Sequence, residues 1–216
     1  MHKELAFFIK AVVSIFIIVN PIGAVPIYLG MSEGQDLSKH YHTVRVASIT
    51  CFCVLLVFTL LGNNILHFFG ITLPSFRIAG GIILFIVSLH MLQAKSSRVK
   101  TTPEEHQEGS QKEDIAVVPL AVPLLSGPAA ITTVLVLRAN AKNLWEVSSI
   151  LLAIGLTSWS AYIVLKESVY IQKILGQTGI NIITRIMGLI LAAISVQFIM
   201  GGVHDSMPYL LEKVIR

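Results

Sequence analysis

IAVVPLAVPLLSGPAAITTVLVL, residues Ile115 to Leu137, decides how this chain folds. It runs for 23 residues without a charge, and roughly 20 apolar residues in a helix cross a bilayer core. It also carries Pro119, Pro123 and Pro128, with Ser126-Gly127-Pro128 as a turn signal near its middle. Each proline removes a backbone donor and crowds the carbonyl one turn back, so a continuous straight helix is not expected. Backbone groups freed inside lipid must find partners, and a broken helix survives there only where protein or a water-filled cavity covers the break. Broken spans of this kind build the midplane sites of secondary transporters.

A second stretch matches it. Ala11 to Gly30, AVVSIFIIVNPIGAVPIYLG, is also apolar and is interrupted by Asn20-Pro21, Gly23 and Pro26. Pro21 and Pro128 lie 107 positions apart in a chain of 216, the first sign of two related halves. Arg77-Ile78-Ala79-Gly80 and Arg185-Ile186-Met187-Gly188 repeat at a spacing of 108.

Composition supports the membrane reading. Hydrophobic residues make up 54% of the chain and charged residues 13%, against about 25% charged in a soluble domain. The net charge of +4 has no basic cluster with interleaved aromatics behind it, so nucleic acid is not an expected partner. Six spans are predicted, at about Phe8–Gly30, Val46–Leu66, Arg77–Leu92, Ile115–Leu137, Val147–Leu165 and Ile186–Val203. The N-terminal segment imitates a signal peptide but shows no A-x-A site, and it reads as an uncleaved first span. The expected fold is an all-α membrane protein of six transmembrane helices in two inverted three-helix repeats, with helices 1 and 4 broken. Three spans per half is an odd number, so the second half enters the bilayer upside down. The halves are 1–94 and 115–216, joined by a hydrophilic cytoplasmic linker, 95–114. Short loops on one side hold 9 Lys and Arg against 7 on the other, which places both termini in the periplasm of an inner-membrane protein.

No catalytic motif is visible, neither G-x-S-x-G, H-E-x-x-H nor a Walker loop, and no cofactor or metal site is expected. The chain does not read as an enzyme. Cys51 and Cys53 sit as C-x-C inside an apolar run and face apart on a helix, which suits inert thiols. Histidines 40, 42, 67, 90 and 204 are scattered. His90 draws the most attention because it falls within a span, where an ionisable group is costly, although a place near the interface beside Gln93 is the more ordinary explanation. Asp205 and Glu146 fall near span ends and read as solvated.

The breaks carry more. A helix that restarts inside a membrane offers unpaired amides and a positive dipole end, which bind carboxylates or phosphates. Asn and Ser are favoured N-caps and Pro is favoured at the first helical position. Asn20, Pro21 and Gly23 in one half, with Ser126, Gly127 and Pro128 in the other, are therefore the expected substrate-binding residues. Thr132, with Thr133, adds hydroxyls one turn on. The bland alternative is that these prolines only kink packed helices. Arg77 and Arg185 open helices at matching positions, as a gate or scaffold or simply by snorkelling to the headgroups. Gly80 and Gly188 would allow close helix packing.

NPIGAVPIYLG (Asn20–Gly30), FRIAGGI (Phe76–Ile82), VPLAVPLLSGPAAI (Val118–Ile131) and TGINIITRIMGLIL (Thr178–Leu191) together resemble the MarC family of bacterial inner-membrane proteins. The resemblance covers nearly the whole chain, apart from the linker. It implies a six-spanning protein placed near the LysE-type exporters, which move amino acids, and some relatives look like neutral amino-acid transporters. That fits two anion-binding helix ends, since every amino acid carries a carboxylate. The expected function is transport of small solutes such as neutral amino acids. The rival is a non-transporting structural or regulatory membrane protein. The expected partners are the bilayer and a small solute, with a coupling ion and a homo-oligomer left open.

Overall fold

The computed structural model describes residues 2–32, 36–93 and 125–215, and these are helical, with no strand among them. The expected linker, 95–114, and the first part of the proline-rich stretch, 115–124, lie outside the described residues.

Among the described residues, seven helices follow in order. α1 is His2–Val19 and α2 is Pro21–Met31, separated by Asn20 alone. α3, Leu37–Phe68, starts well before the expected second span. The polar residues of LSKHYH lie outside that expected span. They form the first turns of this helix, whose 32 residues at about 1.5 Å each exceed the roughly 30 Å bilayer core. α4, Leu73–Leu92, also starts earlier than Arg77. Pro74 sits in its first turn, and the Thr72 side chain caps it by accepting from the Ser75 amide at 3.3 Å. α5 is Pro128–Asn140. α6, Leu144–Lys166, opens on an Asn143 cap that accepts from the Glu146 amide at 2.8 Å. α7, Ser168–Ile215, is divided at Gly176 (φ 62°) into 168–175 and 177–215.

Five helical segments of the described residues are long and apolar enough to span a membrane: Glu4–Leu29, Ser38–Phe68, Leu73–Leu92, Leu144–Lys166 and Thr178–Met207. α5 has 13 residues, about 20 Å of helix, which is too short to cross alone. Of the expected fourth span, only the part from Leu125 onward is described.

The tightest seam joins α4 to 177–215. A methyl added to Gly202 would stand 2.9 Å from the Pro74 carbonyl oxygen, one on Gly81 3.0 Å from that of Ser195, and one on Gly188 3.0 Å from that of Ser88. The paired positions step by seven on each helix and run in opposite directions. Two backbones approach this closely only where side chains are small. On the other side, α6 lies against α1 and α3. Ile150, Ala153, Ile154 and Leu165 of α6 are buried there, as are Ala11 and Ile15 of α1 and Val44, Ala47 and Leu55 of α3. The outward positions stay apolar, with Leu152, Trp159, Leu189 and Met200 all exposed, as lipid contact requires.

Candidate functional site: two helix restarts

The first restart is built by one residue. Asn20 takes the left-handed conformation, φ 49° and ψ 61°, which Asn tolerates better than other non-glycine residues. Its own amide still donates to the Phe16 carbonyl at 2.9 Å, closing α1. Its carbonyl accepts from Ala24 at 3.1 Å and its side-chain Oδ1 accepts from the Gly23 amide at 3.1 Å, opening α2. Pro21 occupies the first helical position. Asn20 is thus an N-cap as expected, but the cap already occupies the Gly23 donor. Gly23 is required here, because a Cβ at that position would overlap the Asn20 amide group. Asn20 and Gly23 line a cavity of about 30 Å³ with Ile18, Leu84, Met91 and Leu191, roughly the space of one water.

At the second restart the cap is Gly127, extended at φ −64° and ψ 174°, and Pro128 is the first helical residue. The expected Ser126 cap is therefore displaced by one position: proline at the helix start fixes the cap to the residue directly before it. Ser126 is fully buried. Thr132 and Thr133 donate to the Pro128 and Ala129 carbonyls at 2.7 and 2.8 Å. Thr132 packs on α4, where a methyl on Gly80 would meet its Oγ1 at 2.9 Å and the Pro128 oxygen at 3.2 Å.

The structure therefore brings Pro128 and Thr132 against Gly80, and sets Asn20 and Gly23 against α4 and α7 at Leu84, Met91 and Leu191. Among the described residues, none from the second restart lines the cavity at Asn20. Gly188 packs on α4, and its counterpart in the seam is Gly81, while Gly80 faces α5. The two arginines differ. Arg77 reaches across to α7, pairs with Asp205 at 2.8 Å, lies 5.6 Å from the Phe198 ring and covers Gly201. Asp205 is thus an ion-pair partner as well as a solvated group. Arg185 is exposed. Cys51 is buried and Cys53 exposed, on opposite sides of α3.

Among the described residues, His40 has a buried hydrogen-bond network, while His90 is exposed. Tyr28 Oη lies 2.7 Å from His40 Nδ1, and His40 Nε2 lies 3.1 Å from the Lys166 carbonyl oxygen. Little in the sequence warns of this, since the partner of His40 is 126 positions away. The one available signal was a tyrosine in an otherwise apolar α2.

Broken, glycine-seamed apolar helices define a multi-pass helical membrane protein. Residues 5–207 match the model of the MarC family integral membrane proteins. Among curated proteins, the chain is 38% identical to a UPF0056 membrane protein of Aquifex aeolicus, covering 95% of this chain and 96% of that one. It is 40% identical to a UPF0056 membrane protein of Pyrococcus abyssi, over 95% and 98%, and 34% identical to the UPF0056 membrane protein YhcE of Escherichia coli, over 94% and 95%. The chain belongs to the MarC family. No solved structure matches it significantly.

Proposed function

We propose that this protein carries small solutes, such as neutral amino acids, across the bacterial inner membrane, without enzymatic chemistry. In this reading it has six spans in two inverted three-helix repeats, and both termini are periplasmic. The observation that carries the reading is the buried left-handed Asn20, which divides a membrane-spanning stretch at a helix start. A second proline-led restart lies at Gly127-Pro128. Two features favour the inverted repeat. The contact of Gly81 with Ser195 becomes the contact of Gly188 with Ser88 when each partner is moved by 107 positions, the spacing of Pro21 and Pro128. In addition, α2 packs on α6 and α7 of the opposite half, while α5 packs on α3 and α4.

The solute group that fits is a carboxylate, held at a positive helix end. Small residues, Gly23, Gly127, Ala129 and Ala130, surround the restarts and favour small solutes. The test is flux of glycine, alanine and serine in proteoliposomes. Ser126→Asp places an anion by the second restart and should weaken binding by on the order of 1–4 kcal/mol, taking an effective dielectric near 20. Ser126→Ala should do less. Equal transport by Ser126→Asp and the parent would reject the carboxylate mechanism. Absence of flux together with stable co-purification of another protein would favour a structural role.

A further inference from the structure

Tyr28, His40 and the end of α6 form a buried hydrogen-bonded polar group outside the two restarts. Tyr28 is fully buried and His40 is 5% exposed. Tyr28 Oη reaches His40 Nδ1 at 2.7 Å and the His40 carbonyl oxygen at 3.3 Å. Nε2 reaches the Lys166 carbonyl oxygen, which must accept, so Nε2 carries a proton. In the neutral ring Nδ1 then accepts from the Tyr28 hydroxyl. A second proton on Nδ1 reverses that bond: Nδ1–H donates to Tyr28 Oη, and the hydroxyl turns to the His40 carbonyl. The neutral ring leaves the 3.3 Å contact to the His40 carbonyl without a proton, whereas the charged ring makes all three bonds, and no heavy atom has to move.

The site also joins the two halves of the sequence. His40 lies in the first turns of α3, Tyr28 on α2 and Lys166 at the end of α6. A charged imidazole strengthens the bond to a carbonyl at a helix C-terminus, where the dipole favours a cation. Among the described residues, the elements that meet here carry titratable and charged groups close to the site in sequence. They are Tyr28 from α2; Asp36, Lys39, Tyr41 and His42 from its own helix start; and Lys166 with Glu167 from the end of α6. Lys166 Nζ is held 5.8 Å from the Tyr41 ring and 3.9 Å from Glu167. Histidine is the side chain that ordinarily exchanges its proton near neutrality.

We propose that His40 is a reversible proton-binding site whose occupancy sets how firmly α2 and α3 hold the end of α6. Resting on the transport reading above, this makes the proton the coupling ion.

Nitrogen NMR of the full chain, labelled at its seven histidines, tests the site without any solute. Between pH 8 and pH 5 one ring, absent in His40→Gln, should pass from an Nε2–H form with a hydrogen-bonded Nδ1 to the doubly protonated form. Tyr28→Phe should shift its Nδ1 signal. A ring that stays neutral at pH 5, or one indifferent to Tyr28→Phe, overturns the proposal. In proteoliposomes an imposed pH gradient should drive alanine accumulation by the parent. The ratio of driven uptake to exchange at equal pH should collapse in His40→Gln, whose amide can still donate to the Lys166 carbonyl. Exchange by the parent without any gradient response overturns the coupling and leaves the transport reading intact. Titration of His40 without flux of any amino acid overturns the transport reading and upholds the proton site.

Discussion

Asn20 and Gly23 should be coupled strongly enough to change the sign of a mutation. In the parent, a methyl on residue 23 would overlap the Asn20 side chain, so Gly23→Ala must expel that side chain from its cap. The lost cap costs roughly 1 kcal/mol, and overpacking adds about 1–3. Asn20→Gly removes the obstacle and keeps the left-handed turn, because glycine adopts positive φ without strain. It should cost only a few tenths of a kcal/mol as a cap change. In that background the alanine methyl at position 23 is freed of its three nearest neighbours, all atoms of the Asn20 side chain, and gains the usual helix advantage of alanine over glycine, about 0.5–1 kcal/mol. Gly23→Ala should therefore destabilise the parent and stabilise Asn20→Gly, with a coupling of about 2–4 kcal/mol. Asn20→Ala should be the worst single change, since it loses the cap and also costs roughly 1–2 kcal/mol for a left-handed non-glycine residue. Reversible unfolding in mixed micelles, read from Trp145 and Trp159 of α6, measures all four corners. If Gly23→Ala has the same effect in both backgrounds, the cap is not what Gly23 accommodates.

Other changes separate backbone strain from crowding. Gly176→Ala meets nothing within 4 Å but sits at φ 62°, so it should cost about 1–2 kcal/mol from conformation alone. Gly202→Ala would press on the Pro74 carbonyl and should cost about 1–3 kcal/mol by parting the seam; the same unfolding assay compares them, and replacing Pro74 should not rescue Gly176→Ala. The Arg77–Asp205 pair, with the Asp205 side chain 47% exposed, should show a coupling of only about 0.2–1 kcal/mol in a double-mutant cycle; a larger value would mean that the ion pair is screened far less than its exposure implies. A reporter active only in the cytoplasm, fused after Arg216, should be silent, and a strong signal would reverse the orientation.

The helical membrane class was legible because uncharged runs of this length have no other use, and both restarts were legible because proline directly after Asn20 and after Gly127 forbids the register of a continuing helix. What sequence could not supply were relations across distance. Ser126 looked like the better cap by residue type, yet the register set by Pro128 gave that position to Gly127. Arg77 and Arg185 looked equivalent by spacing, yet Arg77 finds Asp205, 128 positions away, and Arg185 is exposed. The run before the second span read as a polar segment outside it, yet a helix can extend beyond the bilayer, where polar residues suit it. That misreading also hid His40.

Both restarts lean on α4, and this constrains how a carrier of this design would move. Gly80 supports the Pro128 restart, and Leu84, Val87 and Met91 line the cavity at Asn20. α4 is in turn locked to α7 at three places where backbone meets small residue. Tightly packed seams slide little, because they are bistable and not continuously deformable. The cavity at Asn20, at about 30 Å³, has to open before any amino acid fits. The part suited to move is α2, which has one residue between it and α1, Pro26 within it, and an apolar cavity of about 270 Å³ between its Ile22, Val25 and Pro26 and the residues flanking Gly176. On the transport reading, α2 swings into that space while the α4–α7 seam stays fixed. The Tyr28–His40 bond, which ties α2 to the start of α3 and the end of α6, is then the contact placed to hold or release it.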